Sequence, residues 1–117
     1  MAKKAMVLGL ARSGIAATHL AVLRGLDVIA CDAKTREDFH GALDQIEKEG
    51  AKLCLNEKHP EKWVEGLDML IVSPGIPPEN SAIQRAHELN VPVLGEIEYA
   101  YRESIGMLTA ITGTNGK

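Results

Sequence analysis

Aromatic side chains are scarce in this chain: Phe39, Trp63, Tyr99 and Tyr101 are the whole set in 117 residues. A surface that stacks unpaired bases needs a platform of such rings, so a binder of single-stranded nucleic acid is not expected. Positive charge is not in excess either. Thirteen Lys and Arg against sixteen Asp and Glu give a formal net charge of −3, which offers no attraction to DNA, RNA or an anionic membrane surface. Cysteine is limited to Cys31 and Cys54. They lack metal-type spacing and lie in or beside apolar runs, so buried, reduced thiols are expected in preference to a disulfide. No apolar run approaches the ~20 residues of a spanning helix and no signal-peptide pattern opens the chain, so the expected compartment is the cytoplasm. The four histidines (His19, His40, His59, His87) are scattered without ligand spacing. No metal site is expected, and no nucleophile–base pair stands out.

What is present is the composition of an ordinary globular domain, 45% apolar and 25% charged, in a chain long enough for one core. Short β-like runs alternate with helical patterns. "AMVLGL" (5–10) precedes a helical "GIAATHLAVLRG", stopped at Gly25, and "DVIACD" (27–32) follows. Thr35 and Asp38 form a capping-box pattern before a helix whose Phe39, Ala42, Leu43 and Ile46 share one apolar face and which ends at Gly50. "AKLCL" (51–55) is a weaker strand. "HPEKWVEG" suits a short helix with Pro60 in its first turn and Trp63 turned inward. "LDMLIVSPGI" (67–76) holds the most buried-looking strand. A helix capped by Ser81 and Gln84 comes next, then "VPVLG" (91–95), a helical "EIEYAYRES" and a sixth β-like run, "MLTAIT" (107–112).

This rhythm, with near-continuous apolar strands, specifies an α/β fold: a Rossmann-like parallel sheet with helices on both faces. Right-handed crossovers put the carboxyl ends of the strands along one edge, where such sheets bind ligands. The pattern begins again near Gly95. The expected organisation is therefore a nucleotide-type domain over 1–94, then a linker helix, a strand and the start of another unit over 95–117.

Four stretches could carry chemistry. Gly9-Leu10-Ala11-Arg12-Ser13-Gly14 is a glycine-rich turn between the first strand and helix, the setting in which backbone N–H groups approach a diphosphate. Ala11 stands where the dinucleotide fingerprint has its middle glycine. Ser13 could donate to a phosphate oxygen, and Arg12 could contact phosphate or sugar. Asp32, about 20 residues on at the end of the second strand, holds the position that reads a ribose or base. Ser73-Pro74-Gly75-Ile76-Pro77-Pro78 is a stiff loop at the same edge, where Gly75 admits a ligand close to the backbone. Last, Gly113-Thr114-Asn115-Gly116-Lys117 follows an apolar strand as a phosphate loop would. It carries G-x-x-G-K and neither the earlier glycine nor the Ser or Thr that would hold Mg²⁺. Glu96 and Glu98 read as first-turn carboxylates of a helix.

Taken together, "VLGLARSG" (7–14), "SPGIPPEN" (73–80), "VPVLGEIEYAYR" (91–102) and "ITGTNGK" (111–117) resemble the Mur ligase family, most closely its D-glutamate-adding branch. The resemblance spans nearly the whole chain, in order and with matching separations. It implies the UDP-binding N-terminal domain of a three-domain enzyme that also has a central ATPase and a C-terminal domain. Such a ligase uses ATP and Mg²⁺ to phosphorylate the carboxylate of UDP-N-acetylmuramoyl-L-alanine, and D-glutamate then attacks the acyl phosphate. By position, the resemblance puts Arg12 and Ser13 at the diphosphate and Asp32, Ala33 and Lys34 along the uracil. It puts Gly75 near the UDP-sugar, and Gly113, Thr114, Asn115, Gly116 and Lys117 at ATP phosphates. Ala33 departs from relatives that carry a hydroxyl there, leaving only its backbone for contact. The expectation is thus a ligase domain ending as the ATPase begins, with no catalytic residue of its own and no activity alone. The rival reading is an NAD-binding oxidoreductase or nucleotide-sensing domain, supported by the Gly9 turn and Asp32. A folylpolyglutamate-synthase-like ligase shares the phosphate-loop type but would begin near it.

Overall fold

A computed structural model describes residues 3–103. Five strands, β1 (Lys4–Leu8), β2 (Asp27–Cys31), β3 (Lys52–Cys54), β4 (Met69–Val72) and β5 (Val93–Gly95), form one sheet in the order β3-β2-β1-β4-β5. Every neighbouring pair is parallel; Leu8 stands opposite both Cys31 and Val72. The helices are α1 (Arg12–Leu23), α2 (Asp44–Glu49) and α3 (Ser81–Glu88), with 3₁₀ turns at Arg36–Phe39 and Pro60–Trp63 and a helical stretch over 96–103.

The period-two alternation of the strands supplies both faces of the sheet. Ala5, Val7, Val28, Ala30 and Ile71 point to one side, where they pack with Ala17 and Ala21 of α1, Ile46 of α2 and Tyr99 of the 96–103 helix. Met6, Leu8, Cys31 and Leu70 point to the other, against Val64 and against Ala82, Ile83 and Ala86 of α3. Small residues on α1 let that helix lie close to the sheet. The expected doubly covered parallel sheet is what forms, and Gly25 does end the first helical unit, in a left-handed conformation at φ +85°.

Several local expectations are corrected. The helix expected from Thr35 to Gly50 is two pieces. The Thr35–Asp38 capping box opens only the 3₁₀ turn. His40 (φ 51°) and Gly41 (φ 82°) then take left-handed conformations that no helix can run through, and α2 starts at Asp44. Leu43 and Ile46 are buried as expected, whereas Ala42 is exposed. Trp63 is not turned inward: it is 43% exposed, its Nε1 donates to Glu57 Oε1 at 2.9 Å, and Val64 takes the buried place. The α3 cap is Asn80, whose side chain accepts from Ala82 N at 2.9 Å. Ser81 instead donates to Glu61, and Gln84 donates to the Pro78 carbonyl. The run 107–112 and the residues Gly113–Lys117 lie outside the described residues.

Candidate functional site

Because all five strands run the same way, the loops after β1, β2 and β4 emerge on one edge, with the reversal of strand order falling between β1 and β4. There they enclose a cleft of about 760 Å³, lined among others by Gly9, Arg12, Asp32, Lys34, Ser73 and Gly75. The glycine turn, the acidic loop and the proline-rich loop therefore share one cleft.

Gly9 is what brings the first and third of these together. Its φ of +94° is left-handed, and a Cβ there would stand 2.9 Å from the Ser73 Cβ, so a side chain would be excluded on both grounds. Its N–H donates to Cys31 O at 2.9 Å while Ser73 N–H donates to Leu8 O at 3.1 Å, which stitches the three strand ends. After the turn α1 begins with Ala11 as its N-cap, so no side chain of the cap residue satisfies the first amides. Those amides have no partner within the helix and face the end where negative charge is favoured. An anion fits there.

Asp32 is largely occupied by its own protein. Its Oδ2 accepts from Leu10 N at 2.7 Å and its Oδ1 from Lys34 N at 2.9 Å, so the carboxylate ties the glycine turn to the loop after β2. Residues 56 and 57 back this loop: Asn56 N donates to Lys34 O at 2.8 Å and Glu57 N to Asp32 O at 3.2 Å. Each Asp32 oxygen retains one further lone pair for a ligand donor. Arg12 and Lys34 are exposed at the cleft, and among the described residues neither forms a salt bridge. Two free cations beside an uncapped helix start suit a polyanionic ligand. Gly75 is exposed with no atom within 4 Å of a Cβ built on it, so the room beside it opens onto the cleft.

Two of the residues singled out in the sequence do not line this cleft. Ala33 is exposed in an adjoining depression shared with Glu57, Lys58 and Asn80. Ser13 turns to the far side of the α1 start, where its hydroxyl donates to Glu96 Oε1. Sequence reading placed Glu96 only as a generic first-turn carboxylate. Its 4% exposure and its contact 83 positions away in sequence arise from β5 delivering the 96–103 helix against α1. The same helix is tied at its other end by Arg24 Nε to Glu103 at 2.7 Å. Burial, with the nearby Glu103 charge adding to it, pushes the Tyr99 hydroxyl up to about 12. Burial also raises both thiols, most strongly Cys31, and each cysteine is free. Among the described residues no group of three or more His, Cys, Asp or Glu could hold a metal, and no helix is long and apolar enough to cross a membrane.

Residues 3–95 match the family described as Mur ligase MurD-like, N-terminal domain. The chain is 36% identical over 115 residues to the UDP-N-acetylmuramoylalanine–D-glutamate ligase of Caldanaerobacter subterraneus subsp. tengcongensis, and 39% identical over 115 residues to the ligase of that name in Listeria monocytogenes. In each case the match takes in 98% of this chain and 25% of the relative, so the chain spans about a quarter of the length of these curated relatives. Among solved structures, UDP-N-acetylmuramate–alanine ligase MurC from Thermotoga maritima superposes with a TM-score of 0.68 at 21% identity, covering 89% of this chain and 23% of that one. Shikimate dehydrogenase from Mycobacterium tuberculosis gives a TM-score of 0.58 at 14% identity, covering 99% and 54%. Those two likenesses speak for the shared fold alone; the family rests on the sequence matches, and by them the chain belongs to the MurD-like N-terminal domain family of the Mur ligases.

Proposed function

We propose that this chain is the UDP-N-acetylmuramoyl-L-alanine-binding part of an ATP-dependent ligase that adds D-glutamate during peptidoglycan precursor synthesis. The observation that carries the reading is the single cleft at the carboxyl edge of the sheet, where the Gly9 turn, Asp32 and Gly75 meet in a chain of this family. The amides at the start of α1, with Arg12 and Lys34, hold the diphosphate; Asp32 and the backbone of Ala33 and Lys34 hold the uridine; Gly75 leaves room for the UDP-sugar. Ser13 contributes at the diphosphate turn. The uridine-binding unit covers 1–94, and 95–117 leads into the ATPase.

The whole enzyme works in the cytoplasm. ATP, with Mg²⁺, supplies phosphoryl transfer to the substrate carboxylate, and Gly113, Thr114, Asn115, Gly116 and Lys117 belong to the loop that meets its phosphates. What the residues of the cleft do is bind and orient: they fix the uridine diphosphate so that the remote carboxylate is presented elsewhere. They move no proton and form no bond. This chain alone is inactive as a ligase, and its described residues bind neither nucleic acid nor membrane.

Thermal unfolding of this chain with UDP, UDP-N-acetylmuramoyl-L-alanine and NAD⁺ side by side tests the reading. A ligand at ~100 times its Kd stabilises by about 2.7 kcal/mol. Both uridine ligands are expected to raise the Tm and NAD⁺ to leave it in place. The opposite pattern would favour the oxidoreductase reading that the Gly9 turn and Asp32 also admit.

A further inference from the structure

We propose that Glu96 is a positioning residue for the diphosphate turn, acting through Ser13; this rests on reading the cleft as a uridine diphosphate site. Glu96 begins the helical stretch 96–103 and is 4% exposed. Its Oε1 accepts the Ser13 hydroxyl, and its Oε2 has no hydrogen-bond partner among the described residues. That second oxygen lies against Gly14, 2.9 Å from where a Cβ would stand, and the same Cβ would meet the Gly9 carbonyl oxygen at 2.0 Å. Gly14 is thus packed against both the Gly9 carbonyl and the Glu96 carboxylate at the first turn of α1.

A serine has one hydroxyl proton. With that proton committed to Glu96, the Ser13 oxygen presents only lone pairs elsewhere, and lone pairs repel a phosphate. The donors that meet the diphosphate are therefore the amides of Arg12, Ser13 and Gly14, which no carbonyl within the helix can reach. Those amides are useful only if the turn is held in one geometry. Ala11 as N-cap cannot hold it, having no polar side chain. The Glu96–Ser13 bond, brought from the end of the sheet, supplies that hold.

Calorimetric titration of UDP and of uridine into this chain and into S13A, E96A, E96Q and the S13A/E96A double variant tests the inference. Uridine lacks both phosphates and reports on the base and ribose alone. S13A and E96A are each expected to weaken UDP binding about five-fold, the effect of one net hydrogen bond. The double variant should be no weaker than either single one, and the loss should be confined to UDP. E96Q, whose amide oxygen still accepts the Ser13 proton, should recover most of the affinity that E96A loses. A Ser13 hydroxyl that itself donated to the phosphate would be freed by E96A, and UDP would then bind as well or better; that result overturns the inference. So would additive losses, equal losses for uridine, or an E96Q as weak as E96A. Failure of the unsubstituted chain to bind UDP would instead remove the uridine diphosphate reading itself, and this inference with it.

Discussion

Gly14 and Gly75 are small for different reasons, and the difference can be measured. A Cβ at Gly14 would stand 2.0 Å from a backbone carbonyl oxygen, which has no rotamer to yield, whereas at Gly75 it meets nothing within 4 Å. Gly14→Ala is therefore expected to destabilise by about 3 kcal/mol or more, at the upper end of overpacking costs. Gly75→Ala should change stability by less than ~0.5 kcal/mol, as for a surface site, while weakening binding of the UDP-sugar. Urea denaturation and ligand titration of the two variants check this; a Gly14→Ala chain as stable as the parent would show the turn to be looser than described. The glycine pattern was legible in the sequence as a turn, and so was Asp32 as a residue at the end of β2. That Asp32 accepts from Leu10 and Lys34 was not, because both partners are backbone amides and leave no signature in side-chain identity.

At the scale of the element, strands were easier to read than helix starts. The near-continuous apolar runs of β1, β2 and β4 have one physical solution, burial on both faces, and the strands lie within a residue or two of where the sequence places them. Helix boundaries turned on single conformations. Gly41, within the stretch read as one apolar face, lets the chain turn left-handed and splits it. At α3 two adjacent residues could each cap, and Asn80 wins because Pro77 and Pro78 set a turn in which Asn80 N donates to Pro77 O at 3.0 Å, presenting its side chain to Ala82 N. Asn80→Ala should cost about 1 kcal/mol, the usual effect of losing an N-cap. Ser81→Ala, which removes only an exposed bond to Glu61, should cost well under half of that. Equal losses in a denaturation experiment would return the cap to Ser81. The 96–103 helix was legible as a helix, but its attachment to α1 through Glu96 and through Arg24–Glu103 joins residues far apart in sequence and could be seen only in three dimensions.

For the whole molecule, the order β3-β2-β1-β4-β5 with every pair parallel separates the sheet into two rims. The carboxyl rim carries the cleft. The amino rim carries structural bonds: Lys4 N donates to Asp68 Oδ2 at 2.7 Å, Asp68 N to Lys4 O at 2.7 Å and Asp27 N to Lys3 O at 2.8 Å. A strand the length of β1 puts the rims on the order of 15 Å apart, beyond the range at which substitutions usually couple. Asp68→Ala should thus lower stability by about 1 kcal/mol, the net effect of one hydrogen bond, and leave UDP affinity unchanged. Combined with any cleft substitution, its effect should add; a measured coupling would mean that the sheet transmits strain from end to end. This polarity also offers a practical handle. A fluorophore, a surface tether or an affinity tag attached beside Asp27 or Asp68 would sit on the side away from the cleft, leaving its mouth unobstructed by the label.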